Sequence, residues 1–100
     1  MIDKKAFSSI SLAMKAGFVA SGEFLTEKAV KEGKAKLVIV AEDASVNTKK
    51  KMSNMCEYYQ VPILFLGTKV ELGHIIGKEF RASVAILNQG FAEMIQKQQI

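Results

Sequence analysis

Cysteine, proline and histidine each occur once among the 100 residues, and tryptophan is absent. The single cysteine, Cys56, excludes an intramolecular disulfide framework and any zinc site built from several cysteines. The single proline, Pro62, and the lack of a Gly/Ser-rich stretch leave no sign of a linker, so residues 1–100 are predicted to form one domain. A hydrophobic content of 49% argues against a disordered chain.

Long hydrophobic runs are also missing. The longest, residues 37–41, is far shorter than the roughly 20 apolar residues that a membrane-spanning helix needs. An acid and serines near the N-terminus interrupt any secretory hydrophobic region. We therefore expect a soluble cytoplasmic protein with no membrane partner.

Groups that could carry catalysis are sparse. His74 is expected to be a surface or satisfied helix residue, and Cys56 is expected to pack in the core. Glu42 and Asp43 follow a buried strand, where paired acids could bind a metal or act as acid and base in a hydrolase. A solvated turn, with Asp43 capping the next helix, is the favoured interpretation. Because no glycine-rich phosphate loop occurs either, the sequence predicts a protein that is not an enzyme and has no metal, cofactor or small-molecule substrate.

The charge balance is basic. Fourteen Lys and Arg residues oppose ten Asp and Glu residues, which gives a formal net charge of +4. A basic domain is suited to a polyanionic partner such as a nucleic acid, but the same lysines are equally typical of a solvated surface. Charge alone leaves both interpretations open.

Helical and strand patterns alternate along the chain. Apolar residues at three- and four-residue spacing indicate helices, and short continuous apolar runs indicate buried strands. Helices are predicted over 3–16, 23–32, 46–60, 68–76 and 89–98, and strands over 18–20, 36–41, 63–66 and 83–87. Such alternation favours parallel pairing, so the predicted fold class is α/β: a three-layer α/β/α sandwich with a small mixed or mostly parallel sheet of about four strands.

Short polar side chains mark the predicted helix starts. Asp3 can cap the first helix, and either Ser45 or Asn47 can cap the third. Thr68 and Glu71 have the spacing of a capping box, in which each side chain accepts a hydrogen bond from the other's backbone N–H.

The segment Ser21-Gly22-Glu23, between a short strand and a helix, is the first candidate binding site. Glycine lets the backbone approach a ligand closely, and the free N–H groups of a helix start attract anions such as phosphate. Glu23 could accept hydrogen bonds from a guanine, and Lys28 and Lys31 follow on the same helix. The alternative is structural, with Ser21 as the helix cap and Glu23 as an acid favoured by the helix dipole.

Two further basic groups occur. Lys49–Lys51 open the third helix, where cations oppose the helix dipole, which is a hint of an anionic partner or an ordinary solvated face. Lys69, Lys78 and Arg81 form the second group, with Phe80 beside the arginine. An exposed Phe80 could stack on an unstacked base, as single-stranded RNA is often bound, or it could lie in the core.

Several runs of the sequence together resemble one known family. They are Gly33-Lys34-Ala35-Lys36-Leu37-Val38-Ile39-Val40-Ala41-Glu42-Asp43, Cys56-Glu57, Val61-Pro62, Leu72-Gly73 followed by Gly77, and Ser83-Val84-Ala85-Ile86. The chain from about residue 10 to residue 92 thereby resembles the large-subunit ribosomal protein seven-Ae family, which includes the thirty-e group. The runs at 21–23, 34–36, 47–50 and 76–79 are similar to the short bacterial YlxQ-type branch.

The resemblance implies an α/β/α sandwich that binds kink-turn RNA, a sharply bent duplex with tandem sheared G·A pairs and a flipped-out nucleotide. The start of the second helix, Gly22 to Lys28, is then expected to enter the groove at the G·A pairs. The loop from Lys78 to Arg81 is expected to cover the flipped base. Lys69 matches a family lysine that contacts RNA, and Lys28 matches one that reaches guanine.

This sequence departs from the family pattern at the helix start. Phe24 and Leu25 stand where archaeal members carry polar pairs that contact the guanines, and the covering loop is shorter and lacks a proline. The resemblance therefore implies kink-turn binding that is weaker or tuned to particular sequences. The complete set of RNA-binding candidates is Ser21, Gly22, Glu23, Phe24, Leu25, Lys28, Lys31, Lys69, Lys78, Glu79, Phe80 and Arg81.

Two functional hypotheses follow. The first is a monomeric, ribosome- or translation-associated protein whose partner is structured RNA, such as a kink-turn or ribosomal RNA. The second is a protein-interaction module in which Phe24, Leu25 and Phe80 form an apolar patch for a translation or ribosome-assembly partner. Outward-pointing Phe24 and Leu25 without a basic rim would favour the protein partner.

Overall fold

A four-stranded sheet with helices on both faces organises residues 4–98, the part of the chain that the computed structural model describes. The elements in chain order are α1 (Lys4–Lys15), β1 (Val19–Ser21), α2 (Glu23–Lys31), β2 (Leu37–Val40), α3 (Val46–Tyr59), β3 (Ile63–Phe65), α4 (Lys69–Ile75), β4 (Ser83–Ile86) and α5 (Gln89–Lys97). Every predicted helix and strand is confirmed, and within residues 4–98 no predicted bound differs from the observed one by more than one residue. The α/β/α sandwich is likewise confirmed.

The helix caps follow the sequence in two of the three places. Ser45, not Asn47, caps α3, because its hydroxyl accepts a hydrogen bond from the Thr48 N–H at 3.1 Å. At α4 both hydrogen bonds of the capping box are present: Glu71 N–H to the Thr68 hydroxyl at 3.1 Å, and Thr68 N–H to the Glu71 carboxylate at 2.9 Å. The predicted cap Asp3 lies outside the described residues.

The sheet is mixed, in the order β1-β4-β2-β3, and the expectation of parallel pairing is right for only one pair of neighbours. Strands β2 and β3 are parallel, whereas β4 runs antiparallel to both β1 and β2. Strand β4 has this direction because the chain folds back after the short helix α4. The Arg81 N–H donates to the Lys69 carbonyl at 2.9 Å, so β4 starts at the same edge of the sheet where β3 ended. Apolar periodicity carries no information about strand direction, so the sequence could not reveal this return.

Strands β2 and β4 are completely buried, which explains why all their residues are apolar except Ser83 at the start of β4. Helix α1 packs against α4 and α5, and α2 packs against α3. Cys56 lies in the core as predicted, and burial raises the pKa of its thiol to about 11. The consequence for the site is that α2, α3 and α4 all begin at one edge of a rigid sheet.

Candidate nucleic-acid interface

Helix α2 begins with backbone amides that no side chain caps. Gly22 is the residue before the helix, with φ +91°, a conformation that favours glycine, and its N–H donates to the Ser83 carbonyl at 2.9 Å. The first helical hydrogen bond runs from the Thr26 N–H to the Gly22 carbonyl at 3.0 Å. The amides of residues 23–25 therefore have no acceptor inside the helix. The structural alternative of Ser21 as the cap is wrong, because Ser21 is the last residue of β1 and pairs with Val84.

The segment from Lys78 to Arg81 is held against α4 by its backbone. The Lys78 N–H donates to the Gly73 carbonyl at 2.8 Å, and the Arg81 N–H to the Lys69 carbonyl at 2.9 Å. A Cβ at Gly73 would stand 2.4 Å from the Phe80 Cα, so glycine is what allows this close approach. Phe80 itself is 55% exposed, and the alternative that it packs in the core is therefore wrong.

The two segments meet at Arg81. A Cβ placed on Gly22 would lie 3.8 Å from the Arg81 Nε, so the arginine side chain extends beside the start of α2. Its Nη1 also donates to the Phe80 carbonyl at 2.7 Å, which restrains the guanidinium. A fixed positive charge thus stands next to the amides at the start of α2.

Asp43 has a different structural role from the one predicted. Its carboxylate accepts a hydrogen bond from the Lys69 N–H at 2.8 Å, so it stabilises the start of α4 and not of α3, which Ser45 caps. Glu42 and Asp43 lie in an exposed turn, as the favoured interpretation has it. Among residues 4–98, no group of three or more His, Cys, Asp and Glu side chains could hold a metal ion.

An open cleft of about 490 Å³ lies between α2, the start of α3, the start of α4 and the segment before β4. Eight of the twelve sequence candidates line it: Ser21, Gly22, Glu23, Phe24, Leu25, Lys69, Phe80 and Arg81. Ser45, Thr48 and Ala82 complete the wall, and the sequence did not single them out as ligand-binding residues. Ser45 was recognisable only as a helix cap, since its closeness to residues 21–25 arises from the packing of α2 on α3.

The other four candidates lie outside this cleft. Lys28 and Lys31 are exposed on the outer side of α2, where they border a second, smaller groove together with Phe24. Lys78 and Glu79 are exposed on the segment before β4 but do not line the cleft. Because Phe24 lines both the cleft and this groove, Lys28 extends the surface of the cleft.

A chain of ion pairs neutralises the acids on α2. Lys51 on α3 lies 2.9 Å from a Glu27 carboxylate oxygen and 3.8 Å from a Glu23 oxygen, and Lys31 lies 2.8 Å from the other Glu27 oxygen. Hydrogen bonds from Lys31 and Lys51 lower the pKa of Glu27 to about 2, and the same bonds raise the pKa values of both lysines. One of the three lysines at the start of α3 thus has a partner within the protein.

Apolar side chains point outward at the same place. Phe24 is 76% exposed and Leu25 is 48% exposed. They share the cleft with Lys69 and Arg81, so the exposed apolar surface has a basic rim. The cleft can accommodate a flat, partly apolar group that carries negative charge.

Residues 4–96 match the Ribosomal protein L7Ae/L30e/S12e/Gadd45 family. The chain belongs to this family. Among curated relatives of this L7Ae-family chain, the RNA-binding protein YlxQ of Bacillus subtilis is 45% identical over 89% of each chain. The RNA-binding protein YlxQ of Enterococcus faecium is 44% identical, over 90% of this chain and 86% of that protein. The large ribosomal subunit protein eL30 of Neurospora crassa is 36% identical over 92% and 86% of the two chains.

Solved structures agree with the L7Ae-family fold. A Bacillus halodurans C protein of unknown function superposes with a TM-score of 0.91 at 35% identity, over 95% of this chain and 96% of that one. The Giardia lamblia 15.5kD RNA binding protein superposes with a TM-score of 0.82 at 25% identity, over 95% and 85% of the two chains.

No helix within residues 4–98 has the length and apolar character to cross a membrane.

Proposed function

We propose that this L7Ae-family protein is a non-enzymatic RNA-binding protein that recognises and stabilises kink-turn RNA. The observation that carries the proposal is that the uncapped start of α2 and the segment before β4 border one cleft, with Arg81 beside Gly22. Relatives named as RNA-binding and ribosomal proteins support it. The same relatives support an association with the ribosome or translation.

The binding chemistry follows from the cleft. Free amides at the start of α2 donate hydrogen bonds to phosphate or base oxygens, and Lys69 and Arg81 neutralise phosphates that a sharp bend brings together. Glu23 offers a carboxylate to the N–H groups of a guanine, and Lys28 approaches the same groove from the outer side of α2. By contacting both arms of the bend, the protein offsets the electrostatic repulsion that opposes it.

A titration of RNA tests this function. Fluorescence anisotropy with a labelled kink-turn and a straight duplex of the same length should show tighter binding of the kinked RNA. Log K should fall steeply with log salt, since each neutralised phosphate releases counterions. Equal affinity for both duplexes at low salt would refute the proposal.

Substitution of Lys28 tests the RNA-binding site that the family resemblance implies. We expect Lys28→Ala to weaken kink-turn binding roughly five-fold or more, because a lysine contact to a base edge or phosphate is lost. Lys97→Ala is the matched control, because it removes the same charge from the exposed end of α5. Glu23→Gln should lower the preference for G·A pairs more than the overall affinity. Identical effects of the changes at Lys28 and Lys97 would show that only net charge matters.

The protein-interaction alternative has one observation in its favour, the exposure of Phe24, Leu25 and Phe80. A protein partner was expected only if the apolar patch had no basic rim. Lys69 and Arg81 line the same cleft and form such a rim. The cleft therefore fits RNA better than an apolar protein surface.

A further inference from the structure

A row of charged side chains connects the start of α2 with α3. Glu23, Glu27 and Lys31 follow one another at four-residue spacing, which places them on one side of α2. Lys51 of α3 reaches both acids, at 2.9 Å from a Glu27 oxygen and 3.8 Å from a Glu23 oxygen. Within residues 4–98, Lys51 is the one ion-pair partner of Glu23. The position of the Glu23 carboxylate therefore depends on a side chain from another helix.

Lys51 is itself held in place by Glu27. The side chain of Glu27 is 25% exposed, about half the exposure of the Lys51 side chain. Its two carboxylate oxygens have separate partners, because Lys31 contacts one at 2.8 Å and Lys51 contacts the other at 2.9 Å. A carboxylate bound on both oxygens has little freedom to rotate, and charge-assisted hydrogen bonds of this length are the stronger kind. Glu27 consequently restrains the ammonium group that faces Glu23.

Two forces would move the Glu23 carboxylate if Lys51 were absent. Glu27 would repel it, because like charges four residues apart on a helix repel each other. Lys69 and Arg81, which line the same cleft as Glu23, would attract it, as would the uncapped amides at the start of α2. A carboxylate drawn to those groups would occupy the place of an RNA phosphate. Lys51 does not line the cleft, so it opposes this movement without contacting a ligand there.

We propose that Lys51, anchored by Glu27, is a positioning residue that holds the Glu23 carboxylate away from the cations of the cleft and free to accept hydrogen bonds from a guanine. This inference rests on the proposed function, in which Glu23 recognises guanine, and it deepens that function by naming the residue that controls Glu23. It also gives a role to one of the cations in the run Lys49–Lys51, whose place near the start of α3 is unfavourable for the helix dipole.

The experiment measures how far binding depends on one N–H group of a guanine. A kink-turn is prepared unmodified and with 1-methylguanine at one sheared G·A pair at a time. The methyl group removes the N1–H donor and leaves the N2 and N3 atoms, through which a sheared pair is joined, unchanged. By fluorescence anisotropy we expect the wild-type protein to bind one of the methylated RNAs roughly ten-fold more weakly, within the range that a base-edge contact supplies. The readout is the ratio of the two affinities, because a merely structural change in the protein would weaken both RNAs alike.

The variants show whether Lys51 acts through Glu23. Lys51→Ala should lose most of the difference between the two RNAs, and Lys51→Arg, which keeps the charge, should restore it. Adding Lys51→Ala to Glu23→Gln should change the ratio no further than Glu23→Gln alone, because the two side chains act as one unit. Lys50→Ala is the matched control, because it removes the same charge from the adjacent, exposed residue of α3 and should leave the ratio unchanged. Circular dichroism and thermal unfolding check that each variant is folded.

Three results would overturn the inference: a Lys51→Ala protein with the wild-type ratio, an equal fall of the ratio in Lys51→Ala and Lys50→Ala, or a wild-type protein that binds methylated and unmodified RNA equally. The proposed function is judged separately, by the preference for kinked over straight RNA among unmodified duplexes. If that preference is present and the ratio does not depend on Lys51, kink-turn recognition stands and the positioning role fails. Equal binding of kinked and straight RNA would refute both.

Discussion

At the scale of single residues, Glu27 is the most perturbed charged group on the α2 surface. Its carboxylate is bonded to Lys31 and Lys51, at 2.8 and 2.9 Å, and its pKa falls from 4.5 to about 2. A carboxyl group with a lowered folded-state pKa stabilises the fold above its unfolded pKa and loses that contribution as the pH falls through the folded value.

Acid unfolding tests this network. Glu27→Gln should be less stable than the wild type at pH 7, and the difference should disappear between about pH 4.5 and pH 2 as the wild-type carboxyl protonates. The measurement is urea unfolding across that range. Because the groups are exposed, added salt should shrink the difference as well. Glu57→Gln, at an exposed position on α3, is the control, because it removes the same charge from a site outside the ion pairs of Glu27. A difference that persists at pH 2 would mean that packing, not charge, is responsible.

Single-residue roles were predictable where they depend on nearby sequence. The capping box at Thr68 and the buried position of Cys56 follow from local spacing and the apolar stripe. The partners of Lys51 and Asp43 lie 24 and 26 residues away in the chain, on Glu27 and the Lys69 amide. Such pairs arise from tertiary packing, and no local pattern encodes them.

At the scale of elements, the contact between α4 and the segment before β4 decides where Phe80 and Arg81 lie. Gly73→Ala would place a methyl group 2.4 Å from the Phe80 Cα and 2.9 Å from the Glu79 carbonyl carbon, so the segment must move. We expect a loss of about 1–3 kcal/mol in the free energy of unfolding, the range found for overpacking. The shift should appear as NMR chemical-shift changes at residues 78–82, together with weaker RNA binding.

The control for this element is His74→Ala, the next residue of α4, which is exposed. Its effect on stability should stay within about 0.5 kcal/mol, as is usual for surface positions. A Gly73→Ala protein as stable as the control, with unchanged shifts at 78–82, would disprove the proposed role of Gly73.

The elements themselves were predictable from apolar periodicity, but their arrangement was only partly so. Strands β2 and β3 pair in parallel as alternation suggests. The antiparallel β4 depends on the backbone return from Ile76 to Arg81, and that return depends on the contact at Gly73. The start of α2 at Glu23 was predicted correctly, but the alternative cap, Ser21, lies one residue before the true cap, Gly22, whose positive φ residue type alone did not reveal.

At the scale of the whole molecule, Cys56 offers a measure of global opening. It is the single cysteine of the chain, 1% exposed, with a thiol pKa of about 11. We expect a thiol reagent at pH 8 to react several orders of magnitude more slowly with the native protein than with the urea-unfolded protein, because the reactive thiolate forms only after the core opens. Reaction rates are followed by absorbance, and Gly73→Ala should accelerate the native reaction. Complete labelling within the mixing time would contradict the packing of α3 on the sheet.

The central position of β4 has a consequence for synthesis. Although β1 and β2 are made first, they are never neighbours, and residues 83–86 must insert between them. The hydrogen bond from the Gly22 N–H to the Ser83 carbonyl likewise forms only after Ser83, some sixty residues later in the chain, has been made. In the nascent polypeptide, β1 and β2 therefore lack the strand that joins them until β4 has emerged from the ribosome. The surface at Gly22 consequently forms at the end of translation, not when α2 is made.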